Sequence, residues 1–161
     1  IPMPHFKAAE YLLDRYRTQI QNELIEVAGA VRAVKELAKE YPLALVSGSH
    51  RADIEWALKK LGIHSHFKVI LGAEDYPRSK PAPDGYQKAL KLLNASPEST
   101  LVFEDSEAGI KSGIDAGLHV CVITSTNHFG VDTSKGHFFV PDLTVVDGAW
   151  IKSLQLAKTS G

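Results

Sequence analysis

Apolar residues in this chain gather into two kinds of run that alternate along its length. Short unbroken blocks, Leu43 to Ser47, Phe67 to Leu71, the run ending at Phe103, and His119 to Ile123, have the length of buried strands. Between them apolar positions recur three and four residues apart, which predicts amphipathic helices. One runs from Gly29 to Tyr41, with Val31, Val34, Leu37, Ala38 and Tyr41 inward, and Pro42 stops it. A second, Arg51 to Leu61, is closed by Gly62, and its Trp56 is assigned to the core. A third opens at Asp84 and ends at Leu93, with Tyr86, Leu90 and Leu93 on one side. A fourth spans Ser106 to Ala116, with Ser106 as N-cap, Ile110 and Ile114 four apart, and Gly117 as the residue past its end. Phe6 to about Val27 reads as a leading helix, and His64-Ser65-His66 as a loop before a strand. A polar loop from Ser125 to His137, a short strand at Thr144–Val146 and a helix carrying Trp150, Ile151 and Leu154 complete the chain. Strand and helix in turn predict an α/β fold whose parallel sheet is covered on both faces.

The segment Leu101-Val102-Phe103-Glu104-Asp105-Ser106-Glu107-Ala108-Gly109-Ile110 carries the chemistry. A buried strand runs directly into two adjacent carboxylates, and the carboxyl end of a strand in an open α/β sheet is where ligands bind. Two acids there are costly unless something positive neutralises them, and a hard divalent cation such as Mg²⁺ is the natural candidate. The plainer alternative makes Asp105 a helix cap and leaves Glu104 solvated at a strand edge.

Two earlier fragments favour the first alternative. Leu43-Ala44-Leu45-Val46-Ser47-Gly48-Ser49 is a strand ending in hydroxyls and a glycine, and Ser79-Lys80-Pro81-Ala82-Pro83-Asp84 holds a lysine in a proline-stiffened turn. Strand-hydroxyl, then Lys-Pro, then strand-Glu-Asp, in this order, resembles the haloacid dehalogenase (HAD) superfamily of phosphohydrolases. The likeness is greatest to the subgroup of β-phosphoglucomutase and small phosphosugar phosphatases, and runs from about Ala28 to about Leu156. The resemblance implies a three-layer, Rossmann-like core (residues 28–161), with residues 1–27 a remnant of a helical cap. It implies Mg²⁺ as cofactor and a small phosphorylated metabolite as substrate.

Under that resemblance Ser47 sets its hydroxyl, with the backbone N–H groups of Gly48 and Ser49, against phosphate oxygens; such cradles donate several hydrogen bonds without bulk. Lys80 puts positive charge on the transferring phosphoryl group, held still by Pro81 and Pro83. Asp105 is the direct Mg²⁺ ligand, and Glu104 the second, or an acceptor through a bound water. Arg51 reads more simply as a surface residue, and His64 and His66 as part of a loop before a strand rather than as metal ligands.

One part of the pattern is missing. The family's first motif is a strand ending Asp-x-Asp, whose first Asp is the nucleophile and whose second is the general acid/base. The only Asp before Ala28 is Asp14, inside a helical pattern, and Val145-Val146-Asp147-Gly148 lacks the second Asp. In the family this strand lies at the centre of the sheet, between the strands ending at Ser47 and Glu104. Its loss would leave two buried strands with unpaired backbone groups. The expectation is therefore the C-terminal part of a longer enzyme, with the strand supplied by a missing N-terminal segment or a second polypeptide, and a chain that is inactive alone. Two rivals stand beside a phosphatase: a phosphoglucomutase-like phosphotransferase, and a catalytically dead binding or regulatory module.

Composition narrows the partners. With 18 basic and 19 acidic residues the net charge is −1, so neither nucleic acid nor an anionic membrane is indicated. The single Cys121 lies within an apolar run and reads as a buried strand residue, which excludes an intrachain disulfide and fits a reducing, cytoplasmic setting.

Overall fold

The computed structural model describes residues 28–126, 130 and 132–154. The helix read over 6–27, and with it the cap remnant, lies outside the described residues. In chain order the elements are α1 (Ala30–Leu37), β1 (Ala44–Val46), α2 (Arg51–Lys60), β2 (Val69–Leu71), α3 (Asp84–Leu93), β3 (Leu101–Glu104), α4 (Glu107–Asp115), β4 (His119–Ile123), β5 (Phe138–Val140) and α5 (Gly148–Ser153). Ser106 caps α4, its hydroxyl accepting from Gly109 N–H at 3.0 Å, and Gly117 follows the helix at φ +82°.

Every strand pair is parallel, and the layers follow from side-chain alternation along the strands. On β4, Val120 and Val122 pack under Ile110 of α4, while Cys121 and Ile123 face the other way, toward Val140 and Trp150 of α5. On β1, Val46 packs against Tyr86 of α3, whereas Leu45 joins Ile54 and Leu58 of α2 and Val31 and Val34 of α1. Helices α3 and α4 thus cover one face and α1, α2 and α5 the other.

Among the described residues the sheet is in two pieces. β1 pairs with β2, Ala44 opposite Val69 and Val46 opposite Leu71. β3 pairs with β4, and β4 with β5, Leu101 opposite His119 and Cys121 opposite Phe138. Among the described residues no strand joins β1 to β3. Between them lies a cavity of about 680 Å³, in the place where sequence reasoning puts the absent central strand. Burial records the same break. The innermost strand of an open sheet is ordinarily its best covered, yet here the fully buried residues Val120, Cys121 and Val122 belong to β4, while β1 and Leu101–Phe103 are only half-buried.

Two local expectations fail for identifiable reasons. The last strand is Phe138–Val140, not Thr144–Val146. The carbonyls of Leu143, Thr144 and Val146 are instead taken by the Arg32 guanidinium at 2.9, 2.9 and 3.0 Å, and Asp142 accepts from Thr144 N–H at 2.8 Å, so a side chain replaces the ladder. Asp147 then caps α5, accepting from Trp150 N–H at 2.7 Å. Trp56 is not core: α2 buries Ile54 and Leu58, four apart, and Trp56 lies between them on the helix surface at 41% exposure. Cys121 is fully buried as expected, and burial pushes its thiol up to about 11. Among the described residues no helix is long and apolar enough to cross a membrane.

Arg32→Ala should leave three acceptors short of a partner in a partly buried turn, lowering stability by about 1–2 kcal/mol in urea unfolding. Arg32→Lys should recover part of that, because all three bonds come from the single nitrogen Nη2, for which an ammonium on a shorter stem is an incomplete substitute. An unchanged midpoint for both would show that the turn holds itself.

Candidate active site

The site is assembled at the carboxyl ends of β1 and β3. β1 runs into Ser47-Gly48-Ser49, and the segment after β2 braces that turn. Tyr76 O–H donates to Ser47 C=O at 2.9 Å, and Ala73 N–H to Ser49 C=O at 2.9 Å. The Glu74 carboxylate accepts from Arg51 N–H at 3.0 Å, and Asp75 accepts from Gly72 N–H at 2.8 Å and from the Arg51 guanidinium at 2.9 Å. Hydrogen bonds from its own N–H and from Arg51 N–H hold the Glu74 carboxyl below the usual carboxylate range. A Cβ on Gly72 would stand 2.4 Å from Arg51 N, so the two loops meet backbone to backbone and only glycine fits. Within the turn, Ser49 N–H donates to Ser47 Oγ at 3.1 Å. The space beside Gly48 is open.

Lys80 comes from the loop before α3, and that loop is tied down from several sides. Ala82 N–H closes a turn onto Ser79 C=O at 3.0 Å, and buried Ser112 of α4 donates to Ala82 C=O at 2.7 Å. Arg78 forks onto Asp84 at 2.8 and 3.1 Å. The Lys80–Pro81 peptide bond is cis. So held, the Lys80 ammonium donates to Val46 C=O at 3.3 Å, to Tyr86 O–H at 3.0 Å and to the Glu104 carboxylate.

Glu104 is buried, and its second donor is the Tyr86 hydroxyl. Burial, reinforced by the neighbouring Glu104 charge, pushes the Tyr86 hydroxyl well above its ordinary value, so it remains a donor at any physiological pH. The carboxylate lies on the backbone of α4: a Cβ on Gly109 would stand 2.0 Å from Glu104 Oε2. Asp105, one residue on, is exposed.

Lys80, Glu104 and the end of β1 are therefore in direct contact, with Ser47 adjoining Val46 and Asp105 adjoining Glu104 in the chain. Sequence reasoning missed Tyr86 and Gly109. Tyr86 fits the apolar stripe of α3, which concealed the use of its hydroxyl. Gly109 looked like one more small residue in a helix, although a glycine mid-helix costs about 1 kcal/mol relative to alanine and so signals a close approach.

The acidic pair can be tested as a cation site. Glu104 Oε1 already accepts from Lys80 and Tyr86, whereas Asp105 is open to solvent. Among the described residues no group of three or more His, Cys, Asp or Glu side chains is placed to hold a metal ion by itself. Such a donor set suits a hard ion that draws its remaining ligands from water and phosphate, as Mg²⁺ does, and not one that needs an all-protein cage.

Gly109→Ala should force the Glu104 carboxylate off α4 and destabilise the fold by about 1–3 kcal/mol. Gly48→Ala, where a Cβ meets nothing within 4 Å, should change the unfolding midpoint little. Equal effects at the two positions would show that Glu104 moves aside freely.

Comparison with known proteins gives the family. The family model described as haloacid dehalogenase-like hydrolase matches residues 3–123. Protein CbbY of Rhodobacter capsulatus is 41% identical over 144 residues, covering 82% of this chain and 63% of that protein. Validoxylamine A 7'-phosphate phosphatase of Streptomyces hygroscopicus subsp. limoneus is 35% identical over 123 residues, covering 76% of this chain and 57% of that one. The chain thus spans about three fifths of the length of these relatives. Among solved structures, the HAD-hydrolase YfnB of Bacillus subtilis, bound to magnesium, superposes with a TM-score of 0.68 at 22% identity, covering 91% of this chain and 60% of that one. A strand-hydroxyl turn, a clamped Lys-Pro and a strand ending in buried Glu104 and exposed Asp105 on a parallel sheet, together with a match over most of its length, make this chain a member of the haloacid dehalogenase-like hydrolase family.

Proposed function

We propose that the complete protein is a Mg²⁺-dependent phosphohydrolase acting on a small phosphorylated metabolite through an aspartyl-phosphate. The observation that carries this is the meeting of Lys80 with the β1 end and Glu104, at the strand ends where Ser47 and Asp105 adjoin. The phosphatase relative supports the substrate class, and the magnesium-bound neighbour supports the cofactor. The buried thiol of Cys121 suits a cytoplasmic setting.

In this reading the Ser47 hydroxyl and the Gly48 and Ser49 N–H groups orient the phosphate, Ser49 N–H leaving Ser47 Oγ to do so. Lys80 lies beside the transferring phosphoryl group and offsets its negative charge in a water-poor corner. Asp105 holds the metal directly and Glu104 does so at one remove. Bound there, the ion neutralises phosphate charge and orients the ester. An aspartate carboxylate attacks phosphorus as the ester oxygen leaves with a proton from the second acid of the Asp-x-Asp pair, and water, giving its proton back to that acid, then hydrolyses the acyl phosphate to free phosphate and the carboxylate. That aspartate comes from a strand outside this chain.

A chain beginning at Ile1 should therefore show no turnover of an aryl phosphate with Mg²⁺. A longer form that adds a strand ending Asp-x-Asp should show turnover, and Lys80→Ala in it should lower kcat by about 10²–10³-fold. Turnover by the 161-residue chain itself, abolished by Lys80→Ala, would show that the nucleophile lies within it.

A further inference from the structure

The turn after β1 is anchored on either side of one free amide. Ser47 N–H donates to Leu71 C=O at 3.0 Å, which ties the start of the turn to β2. Ser47 C=O accepts from the Tyr76 hydroxyl at 2.9 Å, and Ser49 C=O from Ala73 N–H at 2.9 Å. Between these anchors Gly48 is exposed, and among the described residues no group accepts from its N–H. A Cβ there would meet nothing within 4 Å, so packing does not hold the turn and the carbonyl anchors must.

The direction of the free N–H follows from those anchors. Ser47 C=O and Gly48 N–H belong to one planar trans peptide and point opposite ways. Ser47 directs both its N–H and its C=O to the β2 side, where Leu71 and Tyr76 lie. Gly48 N–H therefore faces the β3 side. In extended backbone the carbonyl two residues earlier points the same way. That carbonyl is Val46 C=O, which accepts from the Lys80 ammonium at 3.3 Å. The Gly48 N–H and the Lys80 ammonium thus look into the same space.

Tyr76 is itself firmly held. It is buried against Leu71 and Ala89, with Val46 in the same cluster. A Cβ on Gly85 of α3 would stand 3.1 Å from Tyr76 Cζ, so the helix closes directly on the ring. The backbone just before it is fixed as well, Lys88 of α3 donating to Asp75 C=O. Burial, with the nearby Asp75 and Glu104 charges, pushes the hydroxyl above its ordinary value, so it keeps the proton it donates.

We propose that Tyr76 is a positioning residue of the phosphate cradle: its hydroxyl, by holding Ser47 C=O toward β2, aims Gly48 N–H at the phosphate that Lys80 faces. The phosphate rests on the proposed phosphatase reading; the hold on the peptide does not. Tyr76 touches no phosphate oxygen and acts through the peptide. A donor already aimed costs less to order on binding than a free one, and that saving is the hydroxyl's contribution to affinity.

Tyr76→Phe keeps the ring and removes only the donor. Ile54→Val, in a separate core cluster under α2, is a control that loses stability without touching the turn. In the full chain Tyr76→Phe should shift the Gly48 amide resonance. It should also weaken inorganic phosphate, titrated on that resonance, by about three- to tenfold, the loss of one oriented hydrogen bond. In the longer form carrying the Asp-x-Asp strand it should raise KM for an aryl phosphate by a similar factor and leave kcat within about twofold. Ile54→Val should lower the unfolding midpoint and leave phosphate affinity and KM unchanged. An unmoved Gly48 resonance in Tyr76→Phe, an unchanged phosphate affinity, or equal weakening by Ile54→Val would overturn the proposal. So would a parent chain whose Gly48 amide does not respond to phosphate. A shifted resonance and weakened phosphate binding, with no turnover by the longer form, would leave Tyr76 in this role and count against the phosphatase reading alone.

Discussion

The ion pair between Lys80 and Glu104 is the constraint on which the rest depends. The two side chains are only 20% and 7% exposed, so this is no surface pair whose contribution water and salt would erase. A buried carboxylate persists only if it is partnered, and here a lysine and a tyrosine hydroxyl donate to it, while the absent side chain at Gly109 leaves room for it against α4. Each requirement reaches back into the sequence. Lys80 must be anchored, hence the turn fixed by Ser112 and by Arg78–Asp84. Helix α3 must present Tyr86 inward, and α4 must have no side chain at position 109.

The same pair spans the break in the sheet. Lys80 is fixed to β1 through Val46 and to β3 through Glu104, so these two strands, which no strand joins among the described residues, carry a polar clasp at their carboxyl ends. Structure and chemistry are joined at this point. The lysine of this clasp is the group that, in the proposed function, offsets the charge of a phosphoryl group.

Most of the fold was legible because buried parallel strands are short, continuous apolar blocks and their covering helices carry plain start and stop residues. Ser106, Gly117 and Gly62 marked real boundaries. What failed was what pattern cannot encode. Thr144–Val146 has a strand's composition, but its carbonyls are claimed by Arg32 from more than a hundred residues away. Trp56 has a core residue's size and lies on the wrong side of its helix. In the site, motif order identified Ser47, Lys80, Glu104 and Asp105 as candidates. The partners that fix Glu104 were invisible because Tyr86 serves as both apolar packing and hydrogen-bond donor, and because Gly109 acts by what it omits.

The most direct test of this account is a double-mutant cycle on unfolding free energy with Lys80→Met and Glu104→Gln, separately and together. If the pair is the buried clasp described, each single change strands its partner, and the double mutant should be more stable than the summed losses predict by about 1.5–3 kcal/mol. Losses that add to within about 0.5 kcal/mol would mean that the two groups do not depend on one another, and the account would fail at its centre.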